Sequence, residues 1–390
     1  MRWKPHIVVR MNKMGKIITA LILLVFGWAI PLMTAQAGDN RVLERTINRA
    51  SPGGDIWVWQ NVSQGRAPTS NDANYGTANT VVCRSTTNAN TGACPARAGG
   101  LDSTYTPVKL LFTEKRSGMK VVLTLQGYRQ PAWVNVSGCG RTKRSLNMAG
   151  GASCIGAATA ESFLYIWIPA AELKKLPVGG LWTASLRMTS WRAGGPNNTT
   201  AWNADITLNV IDPSKIDIYF PDFSFATPRI ALDLHPRGAP NDFVGAYAED
   251  ITTLEMCLYD GYNANSTQYY VQIYDPPGRP HVGRPNGDFS IYLNGTGSTE
   301  ANARIDYHLR IRDPDSGAMR DVINGGDMIW TRINQGLIRP VRLPSISTYV
   351  LCVPTPLEFS VTKFNVNEKV AGYYSGTLTV MFSPTTPTVN

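Results

Sequence analysis

Histidine, charge and helical periodicity are all scarce in this chain. Its 390 residues include four histidines, His6, His235, His281 and His308, and only 17% are charged. There is no Cys-x-x-Cys pair, no His-Glu-x-x-His, no Gly-x-Ser-x-Gly elbow and no phosphate loop. The signatures of zinc sites, metalloproteases, serine hydrolases and nucleotide enzymes are therefore missing. Neither a metal nor a cofactor is expected, and the chain does not read as an enzyme. No long amphipathic helix is written in the pattern, which disfavours a parallel α/β fold. No Lys/Arg-rich stripe is present, so nucleic acid is not an expected partner. Asp313 and Asp315 stand close together, but they flank Pro314 and precede Ser316 and Gly317, the composition of a turn. Asp222 and Asp233 lack catalytic spacing. Asn135-Val136-Ser137 and Asn294-Gly295-Thr296 match glycosylation acceptors only by chance in a bacterial chain.

What is abundant points to β-structure. Apolar residues make up 43%, with Gly 35, Pro 26, Tyr 16 and Trp 10. This is enough apolar material for real cores, with many turns between strands. The length exceeds one ordinary sandwich and suits two domains of roughly 150–200 residues.

The first 37 residues read as a signal peptide. Arg2, Lys4, Arg10, Lys13 and Lys16 make a basic start, 17–33 is an apolar run, and Ala35-Gln36-Ala37 is a small-x-small cleavage site. Met11 is an alternative first residue. A retained membrane anchor is the competing reading, but the run reaches spanning length only with Gly27 and Pro31 included. No later stretch is apolar enough to span a bilayer. Cleavage removes five Lys/Arg and no acid, so the formal charge falls from +9 to +4. The mature chain is thus only mildly basic.

Six cysteines, Cys83, Cys94, Cys139, Cys154, Cys257 and Cys352, all follow the signal. In an exported chain an even number reads as disulfides. Several connectivities are open, and the nearest-neighbour choice is Cys83–Cys94, Cys139–Cys154 and Cys257–Cys352. Zinc is the rival reading, but His235, His281 and His308 are widely scattered.

Short β-rich runs recur at 108–112, 120–125, 162–168, 181–186 and 205–210, and again at 215–220, 254–259, 268–273, 289–293, 305–311 and 349–353. One helical turn is predicted at 170–175, stopped by Pro177 and Gly179. The best boundary is Asp212-Pro213-Ser214, because Asp-Pro is a turn signal between two strands. This gives an N-terminal domain at 38–211, a short linker at 212–214 and a C-terminal domain at 215–390. In the run 374–382, Leu378, Val380 and Phe382 would face a core, while Thr377 and Thr379 would face out. A sandwich normally closes such an edge with one more strand, and none is visible after it.

Several motifs then occur in a recognisable order. They are Leu111-Phe112-Thr113-Glu114-Lys115-Arg116-Ser117, Gln126-Gly127-Tyr128-Arg129-Gln130, the segment 168–177 with Gly179-Gly180-Leu181-Trp182, Glu255-Met256-Cys257-Leu258-Tyr259-Asp260-Gly261-Tyr262, and Ala371-Gly372-Tyr373-Tyr374-Ser375-Gly376. From about Cys83 to the C-terminus they resemble the tip subunit of colonisation-factor (class 5, alpha-type) fimbriae and of the related cable pilus. The stretch 38–80 matches poorly.

The resemblance implies an all-β chain of two immunoglobulin-like β-sandwich domains in tandem. The first would be an adhesin domain. The second would be an incomplete pilin fold completed by a donor strand, with Leu378, Val380 and Phe382 lining the acceptor groove. It implies a periplasmic pilus chaperone, an outer-membrane usher, a major pilin subunit and a host cell-surface receptor as partners. The chain would be exported through the periplasm to the tip of a fimbrium. Of the family's receptor-patch arginines only Arg192 carries over, with Trp191 before it and Ala193 after it. Where the family has a further arginine, near Asn79, the residues here are small and polar. An arginine beside a tryptophan suits an acidic sugar. The plainer reading is an edge-strand Trp that covers the core. The alternatives to a tip adhesin are a non-adhesive minor pilin that starts assembly, the periplasmic chaperone itself and a secreted carbohydrate-active enzyme.

Overall fold

The computed structural model describes residues 6–12, 38–66, 79–99, 105–133, 143–148, 160–192, 195–223, 227–237, 246–276 and 282–387; for 6–12, 66, 131–133, 160, 192 and 195–198 it describes the backbone alone. The chain divides into two compact units at Asp212/Pro213, and the segment 6–12 belongs with the second.

The chain opens with β1 (His6–Asn12). The first unit then comprises β2 (Asp39–Asn48), β3 (Ile56–Arg66), β4 (Val81–Cys83), β5 (Thr106–Glu114), β6 (Lys120–Trp133), β7 (Ala160–Ile168), β8 (Gly180–Arg192) and β9 (Gly195–Ile211). Their order is β2-β9-β8-β5-β6-β7-β3, with β4 beside β8. β5 meets β8 only at Thr113↔Thr183 and Glu114↔Trp182, whereas β8 and β9 pair along their length. The sheet folds at that corner into two layers. Inward residues alternate along the strands: Val108, Leu110 and Phe112 on β5, and Leu164, Ile166 and Ile168 on β7, are all fully buried. Trp59 of β3 packs edge-on against Trp202 of β9 with ring centroids 5.7 Å apart. Burying aromatic side chains of this size supplies much of the drive to fold.

Two carboxylates explain motifs that the sequence shows only as strings. Glu114, fully buried, accepts hydrogen bonds from the Arg116 and Ser117 amides at 3.1 and 2.6 Å, and from the Leu181 amide at 3.2 Å. It thereby ties the β5–β6 turn to β8. Gly180 (φ 150°) is needed beside it, because a Cβ there would lie 2.7 Å from the Glu114 Cγ. The predicted helical turn is α1 (Ala170–Leu173), and Glu172 at its end accepts from the Thr124 amide of β6 at 2.8 Å. At the domain boundary, Asp212 is buried and paired with Arg49 at 3.0 Å. Pro213–Lys215 form a 3-10 turn, so the strand expected from 215 begins later.

The second unit contains β10 (Asp217–Tyr219), β11 (Arg229–Ala231), β12 (Tyr247–Leu254), β13 (Cys257–Tyr259), β14 (Gln268–Tyr274), β15 (Phe289–Leu293), β16 (Arg304–Arg312), β17 (Met319–Asp321), β18 (Asp327–Thr331), β19 (Arg339–Val341), β20 (Val350–Pro354), β21 (Leu357–Asn365) and β22 (Tyr374–Pro384). The larger sheet runs β11-β1-β22-β15-β16-β21-β12, with β14 on β22, β18 on β14 and β17 on β16; the smaller is β10-β13-β20-β19. The single run expected at 254–259 is two strands. The chain leaves the larger sheet after β12 and enters the smaller one at β13, so Glu255 and Met256 make the crossing. Asp260, fully buried, accepts from the amides of Tyr262, Ala264 and Ser266 at 2.9, 2.9 and 3.1 Å and shapes the loop after β13. Asp313 accepts from the Asp315 and Ser316 amides at 2.8 and 3.0 Å, the turn role read from the sequence.

Disulfides Cys83–Cys94 and Cys257–Cys352 are formed. Cys139 and Cys154 lie outside the described residues.

Candidate functional site

The first candidate is the far end of β8. Trp191 is half-buried and pairs with Thr199 of β9, with a register shift before the Arg192↔Gly195 pair. Its amide donates to the Thr80 carbonyl at 2.9 Å, and its carbonyl accepts from the Asn79 amide at 2.6 Å. The structure therefore brings Trp191 and Asn79 together, 112 positions apart in a chain where only the resemblance linked them. Asn79 is buried with φ 59°. A polar net lies beneath it, with Gln64 donating to the Asn79 carbonyl at 3.3 Å and Ser162 donating to Gln64 at 2.7 Å. A left-handed residue other than glycine, backed by such a net, holds its strand end in a defined shape. The Arg192 side chain lies outside the described residues.

The second candidate is the edge of β22. Tyr374, Leu378, Val380 and Phe382 face the core of the second unit and are buried. Phe382 packs edge-on against Tyr269 at 4.8 Å. On one side β22 is covered by β14 over residues 379–384 and by β15 at 374–375. On the other side β1 lies parallel to it over seven pairs, from His6↔Ser375 to Asn12↔Met381, and pairs antiparallel with β11 beyond. Among the described residues after Ala37, none pairs with that side of β22. The sequence showed no closing strand. The structure puts one there, and it comes from the basic start of the predicted signal peptide. Ile7, Val8 and Val9 have high strand propensity, and an open edge pairs with any compatible backbone.

The sequence analysis did not single out a third feature. Trp57, Tyr105, Tyr128, Tyr165 and Trp167 form a continuous ring cluster on the first unit. Tyr128 stacks on Tyr165 at 4.5 Å, Trp57 lies 5.0 Å from Trp167, and Tyr105 meets Trp167 edge-on at 5.2 Å. Burial raises the pKa of the Tyr128 phenol, with Lys143 opposing. The signal was present in the alternation of β7, where Phe163, Tyr165 and Trp167 occupy the outward positions that a solvent-facing strand usually gives to polar groups.

Of the three histidines after the signal, His308 lies between Asp288 and Asp321, each 3.0 Å from one ring nitrogen, and His235 contacts Asp233. His281 lies outside the described residues. No cluster of potential metal ligands occurs among the described residues.

Known proteins match along nearly the whole chain. The family model for the first domain of the CFA/I fimbrial protein CfaE matches residues 32–213, and the model for its second domain matches 216–386. The CFA/I fimbrial protein CfaE of Escherichia coli is 30% identical over 314 residues, covering 79% of this chain and 81% of its own. The crystal structure of CfaE, the adhesive subunit of the CFA/I fimbria of enterotoxigenic E. coli, aligns with a TM-score of 0.69 at 22% identity, over 91% of this chain and 100% of that one. A structure of a chaperone–tip adhesin complex in CFA/I fimbriae biogenesis aligns with a TM-score of 0.60 at 24% identity, over 90% and 98%.

Proposed function

Because the chain belongs to the CfaE family of CFA/I fimbrial proteins, we propose that it is the adhesive tip subunit of a fimbrium, secreted through the periplasm and assembled by borrowing a strand. The observation that carries this reading is the slot between β11 and β22, filled by residues 6–12 and by no described residue after Ala37. Signal cleavage after Ala37 takes β1 away and leaves the β22 edge unpaired over a buried apolar face. An edge of that kind aggregates unless another chain adds a strand. A periplasmic chaperone fills the slot first, and the N-terminal segment of the major pilin replaces it at the outer-membrane usher. The chaperone–tip adhesin complex of CFA/I fimbriae is consistent with this order. Binding rather than catalysis is the proposed activity. The end of β8, with Trp191 and Arg192, is the proposed contact with a host-surface receptor, a glycan.

The test uses the mature chain from Gly38. With the major pilin's N-terminal segment fused behind Asn390, it should be a soluble monomer that adheres to host cells. Trp191→Ala and Arg192→Ala in that fusion should lower adherence without lowering its thermal stability. An unfused chain as soluble and stable as the fusion would sink the borrowed strand. A fusion that binds no cell or glycan would leave a non-adhesive pilin that only starts assembly.

A further inference from the structure

The ring cluster on the first unit has an unusual position. Inward residues of β6 and β7 are Leu125, Leu164, Ile166 and Ile168, all fully buried, so Tyr128, Tyr165 and Trp167 occupy the opposite, outward face. Tyr128 pairs directly with Tyr165, and Trp57 pairs directly with Trp167. Tyr105 immediately precedes the Thr106↔Gly127 pair, which brings it beside Tyr128, and it remains 45% exposed. The outer face of a two-layer sandwich is normally polar, and a contiguous aromatic patch there marks a binding surface.

The backbone of β3 is bent to build this face. Trp57 pairs with Trp167 and Trp59 with the next residue back, Ile166, so the strand carries a bulge between them. Val58 and Trp59 are both fully buried as a result, while Trp57 is left half-exposed on the outside. A second shift follows, where Asn61 adopts φ 54° and its side-chain oxygen accepts a hydrogen bond from the Tyr165 hydroxyl at 2.7 Å. Bulges that redirect a side chain, and left-handed residues other than glycine, concentrate at functional surfaces.

The patch also carries a cation. Lys143 is exposed, donates to the Tyr105 hydroxyl at 3.1 Å, and places its ammonium 5.4 and 5.0 Å from the Tyr105 and Tyr128 ring centres. Its hydrogen-bond partner there is a phenol, not a carboxylate. From Lys115 to Ala160 the sequence contains no Asp or Glu, while Arg129, Arg141 and Arg144 flank Lys143. A patch of aromatic faces with one ammonium above them fits a ligand with an apolar face and a negative charge.

We propose that this outer face of the first unit is a second saccharide site, which takes a sugar ring carrying a carboxylate. The C–H face of the ring packs on the exposed parts of Trp57 and Tyr165. Asn61 and the Tyr105 hydroxyl meet its hydroxyls. Lys143 pairs with the carboxylate in a charge-assisted hydrogen bond. The proposal rests on the reading of the chain as an adhesin, and it uses a different strand layer from the Trp191 end of β8.

The experiment titrates the full mature chain, with its donor strand fused, against 3′-sialyllactose, a hyaluronan tetrasaccharide and neutral lactose. At least one acidic probe should bind at least about tenfold more tightly than lactose, the span expected of a charge-assisted bond. Trp57→Ala and Tyr165→Ala should each weaken that probe about three- to tenfold, in line with one aromatic contact. Lys143→Gln changes an exposed side chain, so the fold survives it, and it should bring the acidic and neutral probes to the same affinity. Trp191→Ala should leave the titration unchanged. Wild-type chain that adheres to host cells but binds neither acidic probe overturns this site and leaves the adhesin reading standing. Lys143→Gln and Trp57→Ala chains that bind as wild type also overturn it. Wild-type chain that adheres to nothing and binds no probe overturns both.

Discussion

Both units finish a sheet by laying an early strand parallel to a late one. In the first, β2 runs beside β9 over ten pairs, Asp39↔Trp202 to Asn48↔Ile211. In the second, β1 runs beside β22 over seven. The two strands differ in one decisive respect, because β2 follows the predicted cleavage site and β1 precedes it. The first unit therefore closes with residues that the mature chain retains, and the second with residues that it loses. A sandwich sealed by its own strand is a finished body. One sealed by a discarded segment is a receptor for a strand.

The sharpest way to break this contrast is proteolysis of the chain from Gly38 without a donor strand. The lost edge removes up to seven residues of ladder pairing. At about 1 kcal/mol for each hydrogen bond, that is comparable to the whole stability of a domain. Cleavage should fall throughout 213–386 while 38–212 resists, and a donor peptide added in trans should restore resistance to the second unit alone. Equal resistance of the two units without donor would remove the distinction.

The disulfides sharpen the comparison at a smaller scale. Cys83–Cys94 closes a separation of 11 residues, and Cys257–Cys352 one of 95. In the chain-entropy account the first is worth about 3 kcal/mol and the second about 4–5 kcal/mol. The donor-fused Cys257→Ser/Cys352→Ser chain should thus lose more stability, by about 2 kcal/mol, than the Cys83→Ser/Cys94→Ser chain. Denaturant midpoints with unchanged slopes would measure it. The reverse order would mean that local packing, not loop length, sets the value of these bonds.

The sequence showed the strands of both cores because β5, β7 and β22 alternate cleanly between buried and outward residues. It showed the helical turn at α1 because Pro177 and Gly179 stop it, and the turn at Asp313 because Asp-Pro-Asp-Ser-Gly has little other use. It did not show β1, since a basic signal start and an edge strand can be the same residues. Nor did it show the aromatic face. Trp57 lies outside only because of a bulge, and Tyr105 and Tyr128 meet only through the pairing of β5 with β6. A register shift of one residue moves a side chain to the other face, and single-strand periodicity carries no record of it. Glu114 and Gly180 appeared as separate motifs because the contact that unites them joins two strands across the fold.

The smallest expected effect again separates the units, this time by pH. The first unit contains no histidine, whereas the second holds His308 on β16 between Asp288 and the β17 residue Asp321. Partial burial alone would lower the imidazole pKa, but the two carboxylates outweigh it and the pKa is raised above its usual value. The Asp321 carboxyl is correspondingly lowered, chiefly by its hydrogen bond from His308. A raised folded-state histidine contributes stability that is fully present below its unfolded pKa of about 6.5. That contribution is lost as pH rises through the folded value. The Asp321 contribution is lost in the other direction, as pH falls through its folded pKa. With the His308 side chain 40% exposed, solvent screening keeps the effect below about 1 kcal/mol. Hydrogen exchange of the donor-fused chain, corrected for intrinsic rates, should show β16 and β17 opening more readily at pH 8.5 than at pH 6. The strands of the first unit should not change. His308→Gln should erase the difference, and if its exchange keeps the pH dependence of the wild type, the two carboxylates do not act through this imidazole.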